Sequence, residues 1–148
     1  MSDPPTPSPA DAPTQDPTAI VHATMPLCAT LGVTASRFEA DEVVLQLDWK
    51  PELCTTGGLL HGGVVMALAD SAGAACAYLN LPEGAAGTAT ITSSTSFLGA
   101  VKGGAVTATS TLLHRGGSTI AVETAVTDDA GRLVGKVMQT QAVLRPRS

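Results

Sequence analysis

Aromatic residues are nearly missing from this chain of 148 residues: one Trp, one Tyr and two Phe, 3% in all. A chain of this length buries one core, and that core must therefore be built from Ala, Val, Leu and Ile. Basic residues are also few, 8 against 13 acidic, for a net charge of −5. They form no block, which argues against nucleic acid as a partner. An anionic small molecule is still admissible, because a few local basic groups suffice for one. Cysteine is limited to Cys28, Cys54 and Cys76, an odd and well-separated set without C-x-x-C spacing. It gives no disulfide framework and no zinc knuckle. The histidines, His22, His61 and His114, are equally scattered, so neither a metal nor another cofactor is expected. The N-terminus lacks the basic and apolar regions of a signal peptide. No apolar run reaches the length of a membrane span free of charge; residues 59–79 come closest, but they include His61 and Asp70. A soluble cytoplasmic protein with no membrane partner is the expectation. At 44% hydrophobic and 14% charged, the body of the chain is globular.

Six of the ten prolines fall within residues 1–17, which carry almost no large apolar group. Such a segment cannot offset its ordering entropy and reads as a disordered tail, with one domain over 18–148. Asp16-Pro17 has the form of an N-cap and first-turn proline for a helix over roughly 17–30, which Pro26 would bend or end early. Alternation then begins: 33–38 and 43–49 read as paired strands, with Val43, Leu45 and Leu47 on one face. Pro51 ends the second, and Cys54–Gly58 is a loop. A run rich in Ala, Leu and Met over roughly 63–79 predicts a helix, apolar or small nearly all round and hence buried, ended by Asn80 and Pro82. Strands rich in Thr, Val, Ile and Ala follow at about 87–98, 104–114, 118–128 and 132–144, separated by Gly103-Gly104, Gly116-Gly117 and Asp128–Gly131. Short links make neighbours antiparallel. The expected architecture is α+β: two strands, one long buried helix, then a four-stranded meander wrapped around it, which is the hotdog arrangement.

Between Glu52 and Glu83 the only formal charge is Asp70, in the middle of that helix. A carboxylate there is expensive to desolvate and a poor helix former. It is either a core aspartate satisfied by hydroxyls or a partner helix, or a reactive group. His61-Gly62-Gly63 opens the same helix. Its unpaired N–H groups and positive dipole end can polarise a carbonyl or hold an oxyanion, or the glycines can simply permit a tight turn. Asp70 lies eight residues beyond Gly62, about 12 Å along the axis, too far for one carbonyl group to touch both. If the helix packs antiparallel to its copy across a two-fold axis, the site is shared between subunits.

Gly58-Leu59-Leu60-His61-Gly62-Gly63, continuing through Leu68 to Asp70, resembles the G-x-x-H-G-G-x-x-x-x-L-x-[DE] signature of PaaI-like hotdog thioesterases, including the Arthrobacter-type hydroxybenzoyl-CoA thioesterases. Thr95–Leu98 and Asp128–Leu133 look like the same family, and the resemblance spans roughly residues 30–145. It implies hydrolysis of an acyl-CoA or aryl-CoA thioester by a homodimer, or a dimer of dimers. Asp70 would be nucleophile or general base, Gly62 the oxyanion donor from the neighbouring subunit, and His61 a supporting residue. Thr90, in preference to Thr92, would bond to the acid or its water. Gly63 would lie against the substrate, and Ser118-Thr119 with Arg115 would form a turn that contacts CoA. Two departures stand out. Thr55 occupies the position six before the histidine where the family carries Asn or Gln, and Gly99-Ala100 replaces a usual Arg-Pro. Lys102, Arg115, Arg145 or Arg147 would then have to meet the CoA phosphates. An acyl-CoA sensor that binds without turnover, or a hotdog dehydratase, are the competing expectations.

Overall fold

The computed structural model describes residues 15–148, so all but the last three residues of the expected tail lie outside it. Asp16 caps helix α1 (Pro17–Thr24) as expected, its carboxylate accepting from the Thr18 N–H at 3.0 Å. The helix expected over 17–30 is in fact two. Pro26 pushes Met25 out of the helical region (φ −128°, ψ 85°), and α2 (Pro26–Leu31) starts afresh. Strands β1 (Thr34–Phe38) and β2 (Val43–Asp48) pair antiparallel, two short 3₁₀ turns follow, and α3 runs Gly62–Leu79. Then come β3 (Gly87–Phe97), β4 (Ala105–Arg115), β5 (Thr119–Thr127) and β6 (Leu133–Leu144).

All six strands form one antiparallel sheet in the order β1-β2-β4-β5-β6-β3, with α3 packed across β2 to β6. This is the hotdog layout, and the core is aliphatic. Leu68, Ala69, Ala72 and Cys76 of α3 meet Leu45, Leu47, Val106, Ile120, Val122 and Val137 of the sheet. The expected meander holds for β4, β5 and β6 but not for β3, which pairs with β6 at the far edge while β4 joins β2. Residues 98–104 do not act as a hairpin turn. Val101 is buried and its carbonyl accepts from Leu60 N–H at 2.8 Å, while Gly104 C=O accepts from Trp49 N–H at 2.8 Å. The link is thus fastened beneath the start of α3 and carries the chain from one side of the sheet to the other.

Nor is α3 buried all round. The sheet covers one side, and Met66, Asp70 and Tyr78, four or eight residues apart, form an exposed stripe on the other. By length and composition α3 could cross a membrane, but its packing across five strands makes it the core helix. Beside the stripe runs the outer edge of β3, unpaired among the described residues and eleven residues long without a charge or a proline.

Candidate active site

Asp70 emerges from α3 toward β3 and β6. Its Oδ1 accepts from Gln139 Nε2 at 2.6 Å and from Thr90 Oγ1 at 3.3 Å, and Thr90 Oγ1 in turn accepts from Gln141 Nε2 at 2.8 Å. Among the described residues nothing bonds to Oδ2, and the carboxylate is exposed in this chain. Expensive desolvation is therefore not what marks Asp70; the helix face that carries it is open. Gln139 and Gln141 are nearly sealed, at 3% and 1% exposure, and the Oε1 of each lacks a partner among the described residues. An unpaired buried amide oxygen costs about 1–3 kcal/mol. The sequence reading found Asp70 and Thr90 but missed both glutamines. Their signal is positional: they occupy two inward-facing positions of β6 between the buried Val137 and Val143.

At the start of α3, His61 is the N-cap, and its Nδ1 accepts from Gly63 N–H at 2.8 Å. That ring nitrogen carries no proton, so His61 braces the turn and cannot donate through Nδ1. The Gly63 N–H is thereby committed to His61, which removes it as a substrate donor. The Gly62 N–H has no acceptor among the described residues. A Cβ on Gly62 would lie 3.1 Å from the Phe97 ring, so the aromatic edge of β3 walls this donor. Thr55 lies in the preceding loop, exposed, its N–H bonded to Leu59 C=O at 2.7 Å and its hydroxyl unengaged among the described residues.

The residues expected to contact CoA do not converge within one chain. Lys102 sits near the α3 N-terminus, next to Val101, which bonds to Leu60. Arg115, Ser118 and Thr119 lie at the other end of β4, about 33 Å away for ten residues of strand. Arg115 donates to Asn80 C=O at 2.8 Å and Leu81 C=O at 3.3 Å, closing the end of α3. Its role here is that of a helix C-terminal cation. The sequence reading missed Arg132. Its guanidinium packs over Gly99, where a Cβ would come within 3.5 Å of Cζ, and donates to Ala100 C=O at 2.8 Å. The charge absent at position 99 is thus restored in space, and Arg132 and Lys102 line one cavity of about 420 Å³.

Asp128 organises the turn that presents Arg132. The N–H of Arg132, above all, and then its side chain and the Ala130 N–H hold the Asp128 carboxyl below its usual value, against a smaller opposing effect of burial. A lowered folded value means that the stabilisation is complete above the unfolded value of 3.8 and is lost as pH falls through the folded one. The melting-temperature gap between the parent and Asp128→Ala should therefore be constant at neutral pH and close in strong acid. A gap that persists unchanged into strong acid would show that the carboxylate charge contributes nothing to the turn. Elsewhere on α3, burial, and next the negative charge of Asp41, push the Cys76 thiol up to about 11, so it stays protonated and is no nucleophile. Among the described residues, no three His, Cys, Asp or Glu side chains gather as a metal cluster.

Known proteins share this framework. Residues 57–135 match the family model described as the thioesterase superfamily. Rv1847 of Mycobacterium tuberculosis, which carries the provisional name of an esterase, is 31% identical over 126 residues, covering 84% of this chain and 90% of that one. Its solved structure superposes with a TM-score of 0.80, covering 84% of this chain and 100% of that chain at 27% identity. AziG of S. sahachiroi gives 0.77 at 28% identity, covering 82% and 98%. The thioesterase HI1161 of Haemophilus influenzae gives 0.81 at 23% identity, covering 89% and 92%, a likeness of fold.

Proposed function

Because the chain belongs to the thioesterase superfamily, we propose that it hydrolyses an acyl-CoA or aryl-CoA thioester to the free carboxylate and CoA, with Asp70 as the catalytic carboxylate. The observation that carries this reading is the asymmetry of that side chain. Both donors fall on Oδ1, so the group is oriented while Oδ2 stays uncommitted on an open helix face. Oδ2 can attack the thioester carbonyl and expel CoA thiolate, leaving an anhydride that water opens. Alternatively it takes a proton from water, whose oxygen attacks while the thiol leaves. Either route develops negative charge on the carbonyl oxygen, and a free N–H at a helix start suits that charge.

The unpaired Gly62 N–H is such a donor, but its own Asp70 is about 12 Å along the helix. A homodimer in which Gly62 of one protomer meets Asp70 of the other resolves this. The uncharged edge of β3 and the exposed stripe of Met66, Asp70 and Tyr78 are surfaces that a second copy would cover. The outer sheet face, with Met138 and Leu144 exposed around the Lys136–Glu123 pair, suits a further dimer-to-dimer contact. Lys102, which makes no hydrogen bond or ion pair among the described residues, is the cation best disposed toward CoA phosphates, and Arg132, held by Asp128 and Ala100, lines the same cavity.

The test is release of free thiol from a panel of acyl- and aryl-CoA thioesters, separated chromatographically. Saturable turnover of at least one class is expected. Tight binding of the panel without any thiol release would replace this reading with that of a sensor. Thr55→Gln restores the longer amide of the relatives and should hold or raise kcat. A loss of more than about tenfold, or roughly 1.4 kcal/mol of barrier, would mean that the loop presents position 55 differently.

A further inference from the structure

We propose that Gln139 is the positioning residue of the Asp70 carboxylate, lodged in a notch of α3 that only glycine at position 73 leaves open. The inference rests on Asp70 being the catalytic group. Gly73 follows Asp70 by three residues and so lies on an adjoining part of the helix surface, and it is buried. A Cβ there would fall 1.8 Å from Gln139 Oε1 and 3.0 Å from its Cδ, with Val122 Cγ2 closing another side at 3.3 Å. Alanine cannot enter without moving the amide. Gln139 cannot retreat by sliding its strand, because it is paired on one side with Ser93 of β3 and on the other with Val122 of β5.

The amide is also fixed in sense. With Nε2 on Asp70 Oδ1 at 2.6 Å, Oε1 lies against Gly73 and has no donor among the described residues. Turned over, it would set oxygen against a carboxylate oxygen. An apolar side chain would fill the notch without a stranded oxygen, as Val137 and Val143 do at other inward positions of β6. A glycine in the middle of an eighteen-residue helix is a second cost. What the pair secures is a donor from a rigid interior to a carboxylate that would otherwise rotate freely at the surface. Thr90, itself held by Gln141, donates to the same Oδ1. The two contacts select one rotamer and turn Oδ2 toward substrate.

Gln139→Met keeps the length of the side chain and removes the donor; Gly73→Ala leaves Gln139 in the sequence and displaces its amide. Each is expected to lower kcat by about tenfold to a hundredfold, the penalty of a misplaced catalytic group, with KM within about threefold of the parent. The double variant should be no worse than the poorer single one, because both act through one amide. Circular dichroism and melting curves establish the folded fraction, so that kcat is counted per folded site; a merely structural role would lower the melting temperature and leave that kcat unchanged. The proposal is overturned if either folded variant keeps kcat within about twofold of the parent, or if the two losses multiply. Asp70→Asn run alongside separates the two failures, since full activity in that variant would remove the catalytic assignment itself.

Discussion

Asp70→Asn is expected to fold and melt like the parent and to lose about 10²- to 10⁴-fold in kcat. The geometry makes this an unusually clean substitution. The Asn Oδ1 can still accept from Gln139 Nε2 and Thr90 Oγ1, so the orienting contacts survive. The new NH₂ replaces Oδ2, the oxygen with no partner among the described residues, and the side chain is exposed. Away from buried features a surface change is worth about 0.5 kcal/mol or less, so stability should barely move. An NH₂ group neither attacks a thioester nor takes a proton from water. Thiol release from the best CoA substrate, with a melting curve on the same preparation, checks both halves. A folded Asp70→Asn protein with near-parental turnover would remove Asp70 from the reaction and with it the reading of the site. Asp70→Glu should keep part of the activity, limited by the longer arm that Gln139 would then have to meet.

The lone charge in an apolar helix was readable because composition alone isolates it: nothing else between Glu52 and Glu83 is formally charged. Its exposure was not readable. Hydrophobic periodicity reports that a helix face is apolar, not which surface covers it, and α3 meets its own sheet on one side only. The strands were legible by residue type, and the turns of β4, β5 and β6 by their glycines and aspartates. The place of β3 was not, because Thr- and Ser-rich alternation fits either neighbour and the decision is made by distant contacts such as Leu60 to Val101. The glutamines of β6 were visible as polar residues in a strand, but a one-residue slip in register would turn them outward, and only the observed pairing with Ser93 and Val122 settles the face. Arg132 over Gly99 joins positions thirty-three apart, which no local pattern connects.

Complementation is the second large effect, and it tests where the two halves of the site come from. Gly62→Pro removes the proposed oxyanion N–H at a position that tolerates proline. Gly62 is the first residue of α3, where proline fits the helix, and His61 before it is extended (φ −63°, ψ 132°), as a residue preceding proline must be. Among the described residues the one close neighbour is the Phe97 ring at 3.1 Å from the new Cβ, more than half exposed and able to shift. Loss of an oxyanion donor should lower kcat by about 10²- to 10³-fold. Neither Asp70→Asn nor Gly62→Pro homodimers should then turn over appreciably. In a mixed dimer the Gly62→Pro chain supplies an intact Asp70 and the Asp70→Asn chain an intact Gly62, so one of the two sites is whole and the other doubly damaged. Activity should return to about half the parental value per mixed dimer, as an isologous interface requires. Subunit exchange is confirmed by two affinity tags purified in sequence, and circular dichroism confirms that each parent is folded. Mixed dimers that form and stay inactive would mean that each working site draws on the Asp70 and the Gly62 of one and the same chain, and the shared site of an isologous interface would be ruled out.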